Sequence, residues 1–105
     1  MTTIVDSTFT LNTADSNSDA GVGIRSGGGL DTDTSGALVT VANSIFAGNL
    51  DLGPTDSAPN LLGDTSSLAS GGYNFVGIRQ GAGTVFAVGQ PNVSNDWVGT
   101  VGFPL

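Results

Sequence analysis

Residues 40 to 49 read TVANSIFAGN, and residues 3 to 12 read TIVDSTFTLN. With Asp6 aligned to Asn43, the two segments are offset by 37 residues and share their Thr, Ser, Phe and Asn positions. A repeat of roughly 20 to 50 residues is typical of a solenoid, in which each unit buries its apolar face only by stacking on the next. The repeat therefore predicts a chain built from stacked coils.

The composition predicts a single all-β domain over residues 1–105. Of the 105 residues, 38% are apolar, which is enough for an ordered core, and 17 are Gly. The chain has no Glu or Lys, and it is rich in Thr, Ser, Asn, Asp and Val. These residues suit strands and turns, and strong helix formers are scarce.

Alternating apolar residues predict where the strands bury their side chains. In ALVTVAN, residues 37–43, one face of a strand carries Ala37, Val39 and Val41, and we expect that face to point inward. The alternation breaks at Asn43, as a corner between two sheets requires. The predicted core residues are Ile4, Phe9, Val39, Val41 and Phe46.

The number of coils depends on what lies between the two copies. GVGIRSGGGL, residues 21–30, is a glycine-bracketed apolar segment, so we expect a further pass along the sheet and two short coils per repeat, rather than one coil with a long loop. Short strands are also expected within residues 71–77, 83–89 and 96–102. The prediction is about four coils, with repeat coils in 1–49 and less regular coils in 50–105. The alternative is a β-sandwich.

Polar residues at repeated positions favour the solenoid over the sandwich. A side-chain amide at the same corner of successive coils can stack into a hydrogen-bonded ladder. The residues predicted to form this structural ladder are Asp6, Asn12, Asn43 and Asn49.

Residues 21–49, GVGIRSGGGLDTDTSGALVTVANSIFAGN, resemble the GGGI…LTVSNSTFSGN coils of bacterial right-handed parallel β-helix surface proteins, including polymorphic outer-membrane-type repeats. The later segments NSIFAGNLDLG, SGGYNFVG and NDWVGTVGFPL are similar to the C-terminal coils of large secreted β-helix proteins with a choice-of-anchor sorting region. Val22 and Arg25 stand where Gly and Tyr are usual, and relatives usually continue beyond the final FPL. The resemblance implies a single-stranded right-handed parallel β-helix that is a fragment of a larger secreted protein.

The net charge and the residue types exclude several classes of partner and activity. The formal net charge of −7 argues against nucleic acid or an anionic membrane as a partner, and leaves cations and neutral glycans. The absence of His and Cys excludes the usual zinc and copper sites and His-dependent nucleophilic catalysis. The chain has no signal-peptide pattern and no apolar run of membrane-spanning length. We expect it to be extracellular or at the cell surface as part of a larger exported protein.

DTDTSG, residues 31–36, is the sharpest local motif. Its alternating oxygen donors and its Gly match the first half of a calcium loop, with Asp31, Asp33 and Ser35 as candidate ligands. The twelfth position of such a loop, where a bidentate Glu belongs, is Ala42. The alternative interpretation is a turn in which Asp and Ser side chains bond to the backbone.

The sequence therefore predicts a structural or adhesive β-helix module with no catalytic residues of its own and no cofactor other than calcium. One alternative is a polysaccharide-active β-helix that uses Asp pairs such as Asp31 with Asp33 or Asp51 with Asp56. A second is a fibre subunit that self-associates through unpaired strands at both solenoid ends. An exposed Trp97 or Tyr73 ring is a candidate glycan contact, and Arg25 and Arg79 either hold an acidic ligand or pair with Asp.

Overall fold

The computed structural model describes residues 1–14, 27–32, 37–52, 59–63 and 65–105. Within these ranges the secondary structure consists of short β-strands without helices, as the composition predicts, so the described residues contain no helix of membrane-spanning length. The strands are β1 (Thr2–Val5), β2 (Thr8–Thr10), β3 (Thr13–Ala14), β4 (Leu30–Asp31), β5 (Val39–Ala42), β6 (Ile45–Ala47), β7 (Leu50–Asp51), β8 (Leu61–Leu62), β9 (Leu68–Gly72), β10 (Phe75–Val76) and β11 (Trp97–Val98).

The strands form four sheets in which every strand pairing is parallel. Sheet A has the order β1-β5-β9, sheet B the order β11-β10-β6-β2, sheet C pairs β3 with β7, and sheet D pairs β4 with β8. The chain thus visits sheets A, B, C and D in that order twice, and then returns to A and B. We call β1 to β4 layer one, β5 to β8 layer two, and β9 with β10 layer three. Sandwich folds are built from antiparallel sheets, so this pairing is not that of the sandwich alternative.

The two sequence copies lie directly against each other. Thr3 pairs with Thr40 in sheet A, and Phe9 pairs with Phe46 in sheet B. The expectation of two short coils within one repeat is therefore wrong, because β1 and β5 are direct neighbours in sheet A and no further pass separates them. Among the described residues, sheet A has three strands, one fewer than the predicted count of about four coils, and only sheet B has a fourth strand, β11.

The core lies between the sheets and extends into residues after layer three. The fully buried apolar side chains are Val41, Phe46, Leu61, Leu68, Val76, Ala82, Phe86 and Val98. Of the predicted core residues, Val41 and Phe46 belong to this cluster, Ile4 and Phe9 are partly buried against it, and Val39 is half-buried. The Phe9 and Phe46 rings stack with centroids 4.7 Å apart.

Two local expectations differ from the structure. Ala37 is exposed although it shares the alternation of Val41, because β5 begins only at Val39. Residues 83–89 do not form the expected strand. The amides of Val85 and Phe86 instead donate to the carbonyl of Ala82 in a tight turn that carries the Phe86 ring into the core.

Candidate functional site

The corner between sheets A and B is built the same way in every layer. The residue that follows each sheet A strand has a left-handed backbone: φ is 51° at Asp6, 48° at Asn43 and 60° at Tyr73. Asn95, which precedes β11, repeats the corner with φ 60°. Asn and Asp tolerate this region, whereas Tyr does so at a cost. At the outer side of the corner, Nδ2 of Asn43 donates to Oδ1 of Asp6, so two predicted ladder residues are in contact.

The next residue of each corner forms a ladder on the inner side, which we call the corner ladder. The amide of Ser7 donates to Oγ of Ser44 at 3.2 Å, and the amide of Ser44 donates to Oδ1 of Asn74 at 3.1 Å. The amide of Asn74 in turn donates to Oδ1 of Asp96 at 2.9 Å. Each layer therefore gives a backbone N–H to a side-chain oxygen of the following layer.

A second ladder, which we call the asparagine ladder, runs beside sheet C. Both the backbone amide and Nδ2 of Asn12 donate to Oδ1 of Asn49, at 3.1 and 3.0 Å. The amide and Nδ2 of Asn49 donate to Oδ1 of Asn60, at 3.3 and 3.0 Å. The donors point one way along the ladder, from Asn12 in layer one to Asn49 in layer two, and from Asn49 to Asn60, which precedes β8 in the same layer. The repeat did not reveal Asn60, because it lies only 11 residues after Asn49.

Asp96 ends the corner ladder as an enclosed carboxylate with 1% of its surface exposed. Its Oδ2 accepts the Ser70 hydroxyl at 2.7 Å, and its Oδ1 accepts the amide and Nδ2 of Asn74 at 2.9 and 3.0 Å. A buried charge needs such hydrogen-bond donors to offset its lost hydration. Asp96 thus ties the last corner to layer three. The repeat pattern did not reveal this role, because Asp96 stands where the first two corners have Ser and the third has Asn74.

Residues 79–96, which we call the cap, cover the end of the stack beyond layer three. They bond to three sheets: Gly63 N donates to Gly81 O at 3.2 Å, Tyr73 N to Ser94 O at 3.3 Å, and Val98 N to Gly89 O at 3.0 Å. Ala82 and Phe86, which belong to the cap, are fully buried and join the apolar core. Nη1 of Arg79 donates to the carbonyls of Gly83 and Phe86, at 3.2 and 3.4 Å, and so fixes the cap turn.

The opposite end of the stack consists of β1, β2 and β3, which we call the open layer. Each of these strands is at an edge of its sheet. The amides of Thr2 and Asp6 donate to layer two. Because successive amides of a strand point to alternate sides, those of Thr3 and Val5 face away from layer two. In the part of the chain that the structure describes, no strand pairs with this outer edge.

The predicted calcium and carboxylate groups fall largely outside the described residues. Asp31 is the exposed last residue of β4, while Asp33, Ser35 and Asp56 lie outside the described ranges, as does Arg25. Asp51 is buried at the end of β7, with 3% of its surface exposed. Across the described ranges, no three acidic, His or Cys side chains are grouped to hold a metal ion.

The described surface includes a shallow cavity and several exposed rings. A cavity of about 300 Å³ is lined by Arg79, Gln80, Thr100, Val101 and Gly102. Tyr73 is 69% exposed at its corner, and Trp97 is 48% exposed on the outer face of sheet B. Trp97 pairs with Phe75, and Phe75 pairs with Ile45, so three apolar side chains form a column on that face.

Comparison with known proteins finds no matching family model, no matching curated protein and no matching solved structure. The function must therefore be argued from the ladders, the cap, the open layer and the outer surface.

Proposed function

We propose that this chain forms a short single-stranded right-handed parallel β-helix and acts as a non-catalytic structural module of an extracellular or cell-surface protein. The observation that carries the proposal is the repeated passage through four parallel sheets in the same order. The right hand follows the general rule for a connection between parallel strands of one sheet. Extracellular placement rests on the resemblance of the repeat to surface β-helix coils.

The use of the polar side chains supports a structural role. Ser44, Asn49, Asn74 and Asp96 are each at most 3% exposed, and each is hydrogen-bonded to a neighbouring layer. Buried polar groups that are fully bonded in this way rigidify a fold and specify its register. Asp6 is engaged by Asn43, and Asp96 by Ser70 and Asn74. These carboxylates therefore hold neighbouring layers together through hydrogen bonds.

Adhesion to a neutral glycan is the second candidate function, and the outer face of sheet B favours it. The column of Ile45, Phe75 and Trp97 carries two aromatic side chains on neighbouring strands, and paired strands are spaced about 4.8 Å apart in a sheet. Sugar rings stack on exposed aromatic faces, and a neutral chain escapes repulsion by the net charge of −7. Titration with neutral polysaccharides tests this candidate. Binding that is lost in Trp97→Ala and retained in Val93→Ala, a change at a 96% exposed position, supports it.

Two measurements test the structural module. In hydrogen exchange we expect the slowest amides in β5, β6 and β10, because these strands are paired on both sides. Incubation with acidic and neutral polysaccharides should yield neither new reducing ends nor unsaturated products. Uniformly fast exchange would contradict the β-helix. Product formation that an Asp→Asn substitution abolishes would contradict the non-catalytic role and favour the polysaccharide-active alternative.

A further inference from the structure

Both ladders have a direction, and that direction leaves acceptors at the open layer. In the asparagine ladder, Oδ1 of Asn49 and of Asn60 each accept two N–H groups from the preceding asparagine of the ladder. Asn12 donates to Asn49 in the same way, but its own Oδ1 receives no hydrogen bond from a described residue. It lies in the position of an acceptor whose donor layer is missing from the described residues.

The corner ladder shows the same asymmetry. Oγ of Ser44 donates to the carbonyl of Ala42 at 2.8 Å and accepts the amide of Ser7. Oγ of Ser7 donates to the carbonyl of Val5 at the same 2.8 Å. Ser7 is therefore oriented as Ser44 is, yet no described amide reaches its oxygen. The pre-set hydroxyl direction leaves its lone pairs free for the amide of an incoming corner residue.

On the same side, the open layer has an incompletely buried aromatic ring and backbone amides that face away from layer two. Phe46 is fully buried, whereas Phe9, at the equivalent position, is only partly buried with one ring face stacked on Phe46. The outward amides of Thr3 and Val5 lie on the outer edge of β1. Strand edges of this kind are templates for a further strand.

A second copy of the chain does not supply what this surface lacks. The end that would carry the matching donors is covered by the cap, which bonds to Gly63, Tyr73 and Val98. Two open layers joined face to face would not supply these donors either, because in both copies the Ser7 hydroxyl donates to the carbonyl of Val5 and the amides of Ser7 and Asn12 donate to layer two. The open layer is therefore complementary to a segment whose strands run parallel to β1 and β2.

We propose that the open layer is a docking surface for a parallel strand-corner-strand segment with the pattern Asx-Ser-x-Phe-x-x-Asn. The contact between layer one and layer two shows how such a segment seats, because layer one itself carries that pattern. The corner amide of the segment donates to Oγ of Ser7, its last Asn donates to Oδ1 of Asn12, and its Phe covers the ring of Phe9. This inference rests on the proposed β-helix.

The test adds one coil to the full chain. A second copy of residues 2–38 is inserted between Met1 and Thr2, so that the junction repeats the natural step from Leu38 to Val39. Hydrogen exchange should then slow by at least about tenfold at Thr3 and Val5, which become interior amides. In the extended protein, Asn12→Ala in the original copy should reverse much of that protection. Asn95→Ala, at the far end of the stack, should not.

The outcomes separate this inference from the proposed function. Protection of β5 and β6 with unchanged exchange at Thr3 and Val5 would overturn the docking surface alone. Loss of protection in β5 and β6 of the unextended protein would overturn the β-helix itself.

A synthetic peptide of residues 2–12 provides a test that does not depend on folding of the extended chain. Saturable binding that slows exchange at Thr3 and Val5 supports the proposal, provided that a peptide with Asn12→Ala and Phe9→Ala binds at least about tenfold more weakly. Equal binding of both peptides would overturn it. Light scattering should show a monomer. A dimer in which Thr3 and Val5 are protected would overturn the argument against a second copy.

Discussion

Replacement of Asn49 by Ala should destabilise the protein far more than the same replacement of Asn12, although both residues belong to one ladder. Asn49 is 3% exposed and is bonded through its side chain to residues on both sides: Oδ1 accepts from Asn12, and Nδ2 donates to the carbonyl of Phe9 at 2.9 Å and to Asn60. Asn12 is exposed and gives one side-chain hydrogen bond, to Asn49.

The magnitudes follow from the groups left without partners. Asn49→Ala removes the acceptor of the Asn12 amide and the side-chain donor to the carbonyl of Phe9, while Asn60 keeps the backbone amide of residue 49. Each buried polar group left unsatisfied costs about 1 to 3 kcal/mol, so we expect a loss of about 2 to 4 kcal/mol in the free energy of unfolding. Asn12→Ala leaves Oδ1 of Asn49 with the Asn12 amide, so its cost should stay below about 1 kcal/mol.

Urea unfolding followed by far-ultraviolet circular dichroism measures both variants against the parent. The midpoints should differ while the slopes m remain equal, which shows that stability has changed and not the surface exposed on unfolding. Equal losses for Asn49→Ala and Asn12→Ala, or a loss below about 0.5 kcal/mol for Asn49→Ala, would refute the account of a directional internal ladder.

Three further changes probe the corners and the cap by the same urea assay. Tyr73→Asn should stabilise the protein by about 1 kcal/mol, because Asn tolerates the left-handed φ of 60°, and Tyr73→Ala should give no such gain. Gly48→Ala should cost about 1 kcal/mol, since φ is 66° there although an added Cβ would meet only ordinary van der Waals contacts; Gly102→Ala, with no atom within 4 Å, is the control, and equal effects would contradict backbone strain. Phe86→Ala should cost about 3 to 5 kcal/mol and speed exchange in the cap, and a loss below about 1 kcal/mol would mean that the cap does not close the core.

Much of the register was predictable because parallel in-register pairing places equivalent residues side by side. Thr3 lies beside Thr40 and Phe9 beside Phe46, so residues at equivalent positions of the two sequence copies are paired neighbours in the sheets. The coil count was not predictable in the same way. The segment between the copies does contain a strand, β4, but it pairs in sheet D with β8. Strand propensity does not say which sheet a strand joins.

The candidate site was predictable only where the repeat is regular. Asp6 with Asn43 and Asn12 with Asn49 follow from the repeat of 37 residues. Asn74 lies 30 residues after Ser44, and the chemical type changes from Ser to Asn and then to Asp96 along the ladder. Ser, Asn and Asp side chains all supply the acceptor oxygen that this corner needs. The residue type therefore differs between corners, and the repeat at this position cannot be recognised from the sequence.

The sequence by itself determined that the chain is all-β, that two segments repeat, and which of their residues face one another, because these properties follow from local propensity and from equal spacing. Only the tertiary structure decided that one repeat is one pass, that Phe86 turns into the core instead of extending a strand, and that the cap covers one end and leaves β1, β2 and β3 as edges. These features depend on contacts between residues far apart in the chain, and the free energy of such contacts cannot be inferred from the sequence of any single segment.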